Sequence, residues 1–206
     1  MKNPTFHQFG ALAGKVADVL RSNPSVDGDE LQNAILSQDH PFWLKIAEAA
    51  LTLISALKVL AIDYTLSLAY MVKSGGYDWV NPDITPENFP ITGSGVEEVE
   101  YMLVHPNIYI SSKDAISAIK AEDKNNSWQP AAIQHLLAFG AKNPEEQRKY
   151  PIVALGSVAQ FHGFRRVACL FGVDVGRSLD LFDWAGDWDA SFRFLAVRKV
   201  SKPLVS

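Results

Sequence analysis

The tightest constraint on this chain is a pair of apolar segments with strand character near its C-terminal end. Ile152–Val158 and Phe192–Val200 are rich in the β-branched and aromatic residues that suit a pleated surface. The stretch between them suits neither a core nor an ordinary loop. It mixes Phe161, Phe164, Phe182, Trp184 and Trp188 with Asp174, Asp180, Asp183, Asp187 and Asp189, adds several glycines, and contains no lysine. Recognition loops have this composition, because rings give contact area at low entropy cost and short polar groups adapt their hydrogen bonds. The segment from Phe161 to Phe192 therefore reads as a binding surface on a β scaffold.

The rest of the second half supplies the scaffold. Val96–Val104 carries an apolar face, and Ile108–Ile110 is a short strand expected to return beside the final strand near Leu195. Ser111 and Ser112 are N-cap candidates for a helix over 113–122, and Pro130 is placed to open a second helix over 130–142. Strands follow at Ile152–Val158, Arg166–Phe171, Ser178–Phe182 and Phe192–Val200, separated by glycine-containing turns and expected to form one antiparallel system. Leu179, Leu181, Phe194 and Ala196 alternate as a core-facing set, with Asp180 and Phe182 on the opposite side.

The first half reads differently. Apolar residues at helical spacing predict helices over 5–22, 31–36, 42–57 and 63–73, the last closing at Gly75-Gly76. Pro82, Pro86 and Pro90 then mark a turn-rich linker in which Trp79, Ile84 and Phe89 pin the chain. The expected organisation is a helical region over 1–76, a linker over 77–95 and a mixed α+β domain over 96–206.

Bulk properties narrow the function. A net charge of −4 over 206 residues argues against a dominant phosphate-binding face. Four charges interrupt the most hydrophobic window, Phe42–Val72, so a membrane span is not expected. No signal peptide is visible in the sequence, and the cytoplasm is the default location. The lone Cys169 sits in an apolar run and reads as an inert buried thiol.

The element order, and the bracketing strings Pro151-Ile152-Val153-Ala154-Leu155-Gly156-Ser157 and Arg193-Phe194-Leu195-Ala196-Val197-Arg198-Lys199, resemble the C-type lectin fold. More particularly, they resemble the variable proteins diversified by diversity-generating retroelements, including short bacterial proteins with the same ending. The resemblance spans about residues 107–199. It implies a non-enzymatic binding protein whose rewritten C-terminal segment is displayed on a lectin-type scaffold. The Glu-Pro-Asn and Trp-Asn-Asp calcium motifs of sugar-binding relatives are missing, as are their disulfides and the paired cysteines of formylglycine-generating relatives. Calcium-dependent sugar binding and that oxidase chemistry are both disfavoured.

The expected ligand-contacting residues are Phe161, His162, Phe164, Arg165, Asp174, Asp180, Phe182, Asp183, Trp184, Asp187, Asp189 and Ser191, converging on one face. Trp188 is assigned as an anchor and Trp184 as a contact. No catalytic residue, metal or cofactor is expected. The aspartates match no metal-binding spacing, and Ser157 lacks the second glycine of a nucleophile elbow. Arg165 and Arg166 beside Phe164 are thin support for nucleic acid in an acidic chain. The expected ligand is a macromolecule, a protein. The rival expectation is a small enzyme or nucleic-acid-associated factor acting through the helical first part.

Overall fold

The computed structural model describes residues 58–200 apart from 174 and 175. The helices expected over 5–22, 31–36 and 42–57, and Asp174 of the expected contact set, lie outside the described residues. The described residues form one compact unit of mixed α+β architecture.

The sheet is built around the strand β10 (Arg193–Lys199), in which Phe194, Leu195, Ala196 and Val197 are all buried. Four consecutive buried residues require cover on both faces of a strand. Leu195 and Val197 face a core made with α1 (Leu68–Gly75) and α3 (Ile133–Lys142). Phe194 and Ala196 face a second core that includes Ala115 and Ile119 of α2 (Ser112–Lys120). The four residues expected to share one core thus divide: Leu179 and Leu181 lie on the α1/α3 side, Phe194 and Ala196 on the α2 side.

In spatial order the strands are β1 (Val59–Asp63), β3 (Val96–Val104), β10, β6 (Ile152–Phe161), β7 (Phe164–Val173), β8 (Gly176–Asp183) and β2 (Trp79–Val80). The neighbour of Leu195 is Leu103 of β3, in antiparallel register, rather than the expected Ile108–Ile110. A two-residue strand, β4 (Ile110–Ser111), instead pairs with β9 (Asp187–Trp188) outside the main sheet. The sheet is mostly antiparallel, but β10 runs parallel to β6, with Phe194 opposite Val153, and β2 runs parallel to β8.

Pro130 does not open a helix. With Gln129 it forms the short strand β5, which takes over pairing with β10 at Ala196 and Val197 where β6 diverges. Gly156 permits that divergence. A Cβ there would lie 2.4 Å from the Pro130 carbonyl oxygen, so no larger residue fits while β5 stays in place. The next residue, Ser157, accepts the Ile133 N–H at 2.9 Å and thereby supplies the first turn of α3 with the cap its own N-cap, Ala132, lacks.

The stretch before Gly95 also differs from expectation. Val59–Asp63 buries Leu60 and Ile62 on one face and is an edge strand; the helix following it starts later than expected, at Leu68, where Ser67 accepts the Tyr70 N–H. Gly76 ends that helix at φ 60°, a conformation glycine adopts without strain. Residues 77–95 are not a separate linker: Trp79 pairs with Ser178 and Phe89 is fully buried.

One buried cation ties these parts together. Arg177 on β8 donates from Nη1 to the Gly75 carbonyl (2.6 Å) at the end of α1 and from Nη2 to the Gly140 carbonyl (2.8 Å) in the last turn of α3. Nε and Nη2 also share Gln147 Oε1, and Gln147 Nε2 donates onward to the Phe171 and Ser178 carbonyls. Helix C-termini carry partial negative charge, so two of them act as the counter-ion for the guanidinium. Tyr77 lies under it, 5.1 Å from Cζ to ring centroid, and fills the space that Cβ atoms on Gly75 and Gly140 would need.

Arg177→Met leaves several buried carbonyls unpaired and is expected to cost about 3 kcal/mol or more in urea unfolding, with Arg177→Lys recovering only part because an ammonium lacks the fork. A cost under about 1 kcal/mol would remove the guanidinium from its central role.

His135 in α3 accepts the Ala132 N–H on Nδ1, which requires a neutral ring. Burial pushes its pKa down to about 4, partly opposed by the Glu97 carboxylate. The unfolded chain therefore binds a proton before the folded one does. The associated stability, about 2–3 kcal/mol, is complete above about pH 6.5 and is lost as pH falls towards 4. In His135→Gln the fall across that window should be largely absent; an unchanged slope would assign it to other groups.

Candidate binding surface at the hairpin tip

Strands β6 and β7 run directly into each other through the turn Phe161-His162-Gly163-Phe164. His162 (φ 51°) and Gly163 (φ 80°) both take positive φ, as a two-residue turn matched to strand twist requires. Phe161 pairs with Phe164 across the turn, and the His162 ring meets the edge of Phe161 with centroids 5.6 Å apart. Phe164 is 52% exposed.

Alternation along β7 sends its two arginines to opposite faces. Arg166 shares its face with Phe164, and its Cζ lies 5.0 Å from that ring centroid. Arg165 turns to the other face and stacks on Trp184, with Cζ 3.5 Å from the centroid. The Trp184 backbone is held from both sides. Its N–H donates to the Arg165 carbonyl at 2.9 Å, and its carbonyl accepts the Ser112 hydroxyl at 2.7 Å. Ser112 Oγ in turn accepts the N–H of Trp188, which is 2% exposed and anchors the β9 turn. The Trp184 ring nitrogen is buried without a partner among the described residues.

On the Arg166 face, the hairpin and the turn after β2 enclose a groove of 360 Å³. Phe161 and Leu181 supply its apolar part; Asp83, His162 and Arg166 supply charge and hydrogen-bonding groups. Asn81 fixes the turn: Oδ1 accepts the Asp83 N–H (3.0 Å), and Nδ2 donates to Asp180 Oδ1 (2.7 Å). A second cleft of 280 Å³, between β1, α1 and α3, is mainly apolar, and the ammonium at its rim, Lys142, is already bonded to the Val59 carbonyl.

The expected contact residues do not share one face. His162, Phe164, Arg165, Asp187, Asp189 and Ser191 are exposed; Phe161, Asp180, Phe182, Asp183 and Trp184 are half-buried. Phe182 belongs to the second core, edge-to-face with Phe171 (5.8 Å) and Phe192 (5.9 Å), because cross-strand pairing with Val167 turns it under α2. Asp180 is spent on Asn81 and on the Leu181 N–H. Asp183 and Asp189 close turns by accepting the Ala185 and Ser191 N–H groups. Hydrogen bonds from the Ser191 hydroxyl and N–H hold Asp189 below the usual carboxylate range. Asn81, Asp83, Arg166 and Leu181 line the groove but stood outside the expected contact set, and the signals available were the aspartate and asparagine content of the 81–83 turn and the basic–aromatic run Phe164-Arg165-Arg166.

Among the described residues, no nucleophile and base are paired at this surface. Cys169 is fully buried in the second core, where desolvation drives its thiol pKa upward. Among the described residues no group of three or more His, Cys, Asp or Glu side chains could hold a metal ion, and no helix is long and apolar enough to cross a membrane. The arrangement is suited to non-covalent contact. No family model, no curated protein and no solved structure matches the chain.

Replacing His162, Phe164, Arg165 and Asp187 together by alanine is expected to change unfolding free energy by less than about 2 kcal/mol, since exposed replacements each cost about 0.5. Phe194→Ala alone should cost about 3–5 kcal/mol, because it opens a cavity beneath α2. Comparable losses in the two proteins would make the tip a structural element.

Proposed function

We propose that this is a non-enzymatic binding protein, a variable protein of the diversity-generating-retroelement class, that presents residues of segment 161–192 to a protein ligand from a C-type-lectin-like scaffold. The scaffold reading is supported by strand order. One strand (β3) is followed by two helices (α2, α3) and three antiparallel strands (β6, β7, β8), and a last strand (β10) returns between the first and the rest. The ending that carries the resemblance, Arg193–Lys199, is that central strand.

The observation that carries the binding reading is the state of Arg165 and Arg166. Neither is ion-paired among the described residues, and both are laid on aromatic rings at an exposed hairpin tip. A guanidinium fixed on a ring has already lost much of the rotamer freedom that a contact side chain gives up on association. It keeps its N–H donors for a partner, and arginine with aromatics is the usual composition of an interface centre. The charge also suits an acidic patch on a protein better than a continuous phosphate track, because two arginines on opposite faces cannot follow one backbone.

A library randomised at His162, Phe164, Arg165, Ala185 and Asp187 and displayed on cells tests the reading. Most members are expected to unfold cooperatively near the parent, and selection against a chosen folded protein should return binders that differ at these positions. Widespread loss of folding would contradict the proposal. A reverse transcriptase gene beside the coding sequence, with a near-copy of the 161–192 segment differing opposite adenines, tests the diversification itself.

A further inference from the structure

We infer that the groove between the β6–β7 tip and the 81–83 turn captures the C-terminal residue of a peptide chain whose last side chain is apolar. The inference rests on the tip being a protein-binding surface and adds what it recognises there.

The groove holds opposite charges that do not neutralise each other. Arg166 and Asp83 both line it, yet no ion pair joins them, and neither side chain has another hydrogen-bond partner among the described residues. Both are nonetheless fixed in place. Arg166 lies along Phe164, while the Asp83 backbone is held at its N–H by Asn81 and at its carbonyl by Asn88 Nδ2 (2.8 Å). Internal pairing occupies Asp180 and Asn81 and leaves the Asp83 carboxylate facing the groove.

A ligand that satisfies both must carry an anion and a hydrogen-bond donor a short distance apart, with apolar surface between. The last residue of a peptide has that chemistry. Its carboxylate matches the fork of a guanidinium, its amide N–H can donate to a carboxylate, and its side chain can cover Phe161 and Leu181. At 360 Å³ the groove has room for about one residue. It opens beside the exposed rings of His162 and Phe164, which leaves the rest of the peptide to run across the tip.

The test titrates the full chain, isotopically labelled, with N-acetyl-glycyl-phenylalanine, with the same peptide amidated, and with free phenylalanine, following backbone amide resonances. The acid peptide is expected to shift the amides of Asp83, His162, Arg166 and Leu181 saturably, and the amidated peptide to bind at least tenfold more weakly. Arg166→Gln should weaken the acid peptide about tenfold or more. Asp83→Asn should weaken it less, and Lys120→Gln, an equal charge change on α2, should leave it unaltered. Equal binding of acid and amide, or no saturable shift at these four amides, overturns the inference. Free phenylalanine binding as tightly as the peptide also overturns it, by assigning the groove to amino acids. If the randomised tip still yields binders while these peptides fail, only the groove assignment falls.

Discussion

Everything on the α1/α3 side of the sheet depends on where the Arg177 guanidinium can sit. A buried arginine without a carboxylate is costly unless its donors are all used, and here the acceptors are backbone carbonyls at the ends of two helices. That arrangement fixes both helix ends to β8 at once, so the tilt of α1 and the position of α3 are not independent. It also dictates local sequence. Gly75 and Gly140 must be glycine because Tyr77 occupies the space beside each, and Gln147 must be an amide because it accepts from Arg177 and donates to strand carbonyls with the same head group. The Tyr77 hydroxyl is buried without a partner among the described residues.

The strands from Ile152 onward were readable because each is a short apolar stretch rich in β-branched or aromatic residues and bounded by turn residues. Their pairing was less so. The two-sided burial of Phe194–Val197 looks, in sequence, like one apolar run, and nothing local tells Leu195 from Phe194 as members of different cores. Pro130 illustrates the same limit. A proline before an apolar helical pattern reads as a helix start, whereas here the tertiary contact with β10 wins and the helix begins three residues later. The edge strand Val59–Asp63 was hidden because five residues of alternating burial between helical patterns carry too little period to stand out.

Site legibility followed the same division. Composition pointed to the whole segment Phe161–Phe192, of which the exposed His162, Phe164 and Arg165 lie at the β6–β7 tip. Composition could not say which aspartates are free, because that is decided by backbone N–H groups two residues away: Asp183 and Asp189 are consumed by turns, Asp180 by Asn81. It could not find Asp83 at all, since that residue reaches the hairpin only through the parallel pairing of β2 with β8, about a hundred positions along the chain.

The central place of β10 has a kinetic consequence. β3 and β6 are not paired with each other; β10 lies between them, with the short β5 beside it, and β10 is the last strand of the sheet to leave the ribosome. Until it does, β1–β3 and the β6–β7–β8 meander are separate pieces, each with an unpaired edge and an apolar face. Such edges recruit other chains. Long-range closure of this kind also makes for slow folding, because the loop entropy is lost before the contacts form. Sequence change confined to the tip leaves that closing step alone, whereas change in Arg193–Lys199 acts on the whole sheet at once. Constancy of this one strand therefore protects the yield of folded chain, apart from any role in stability.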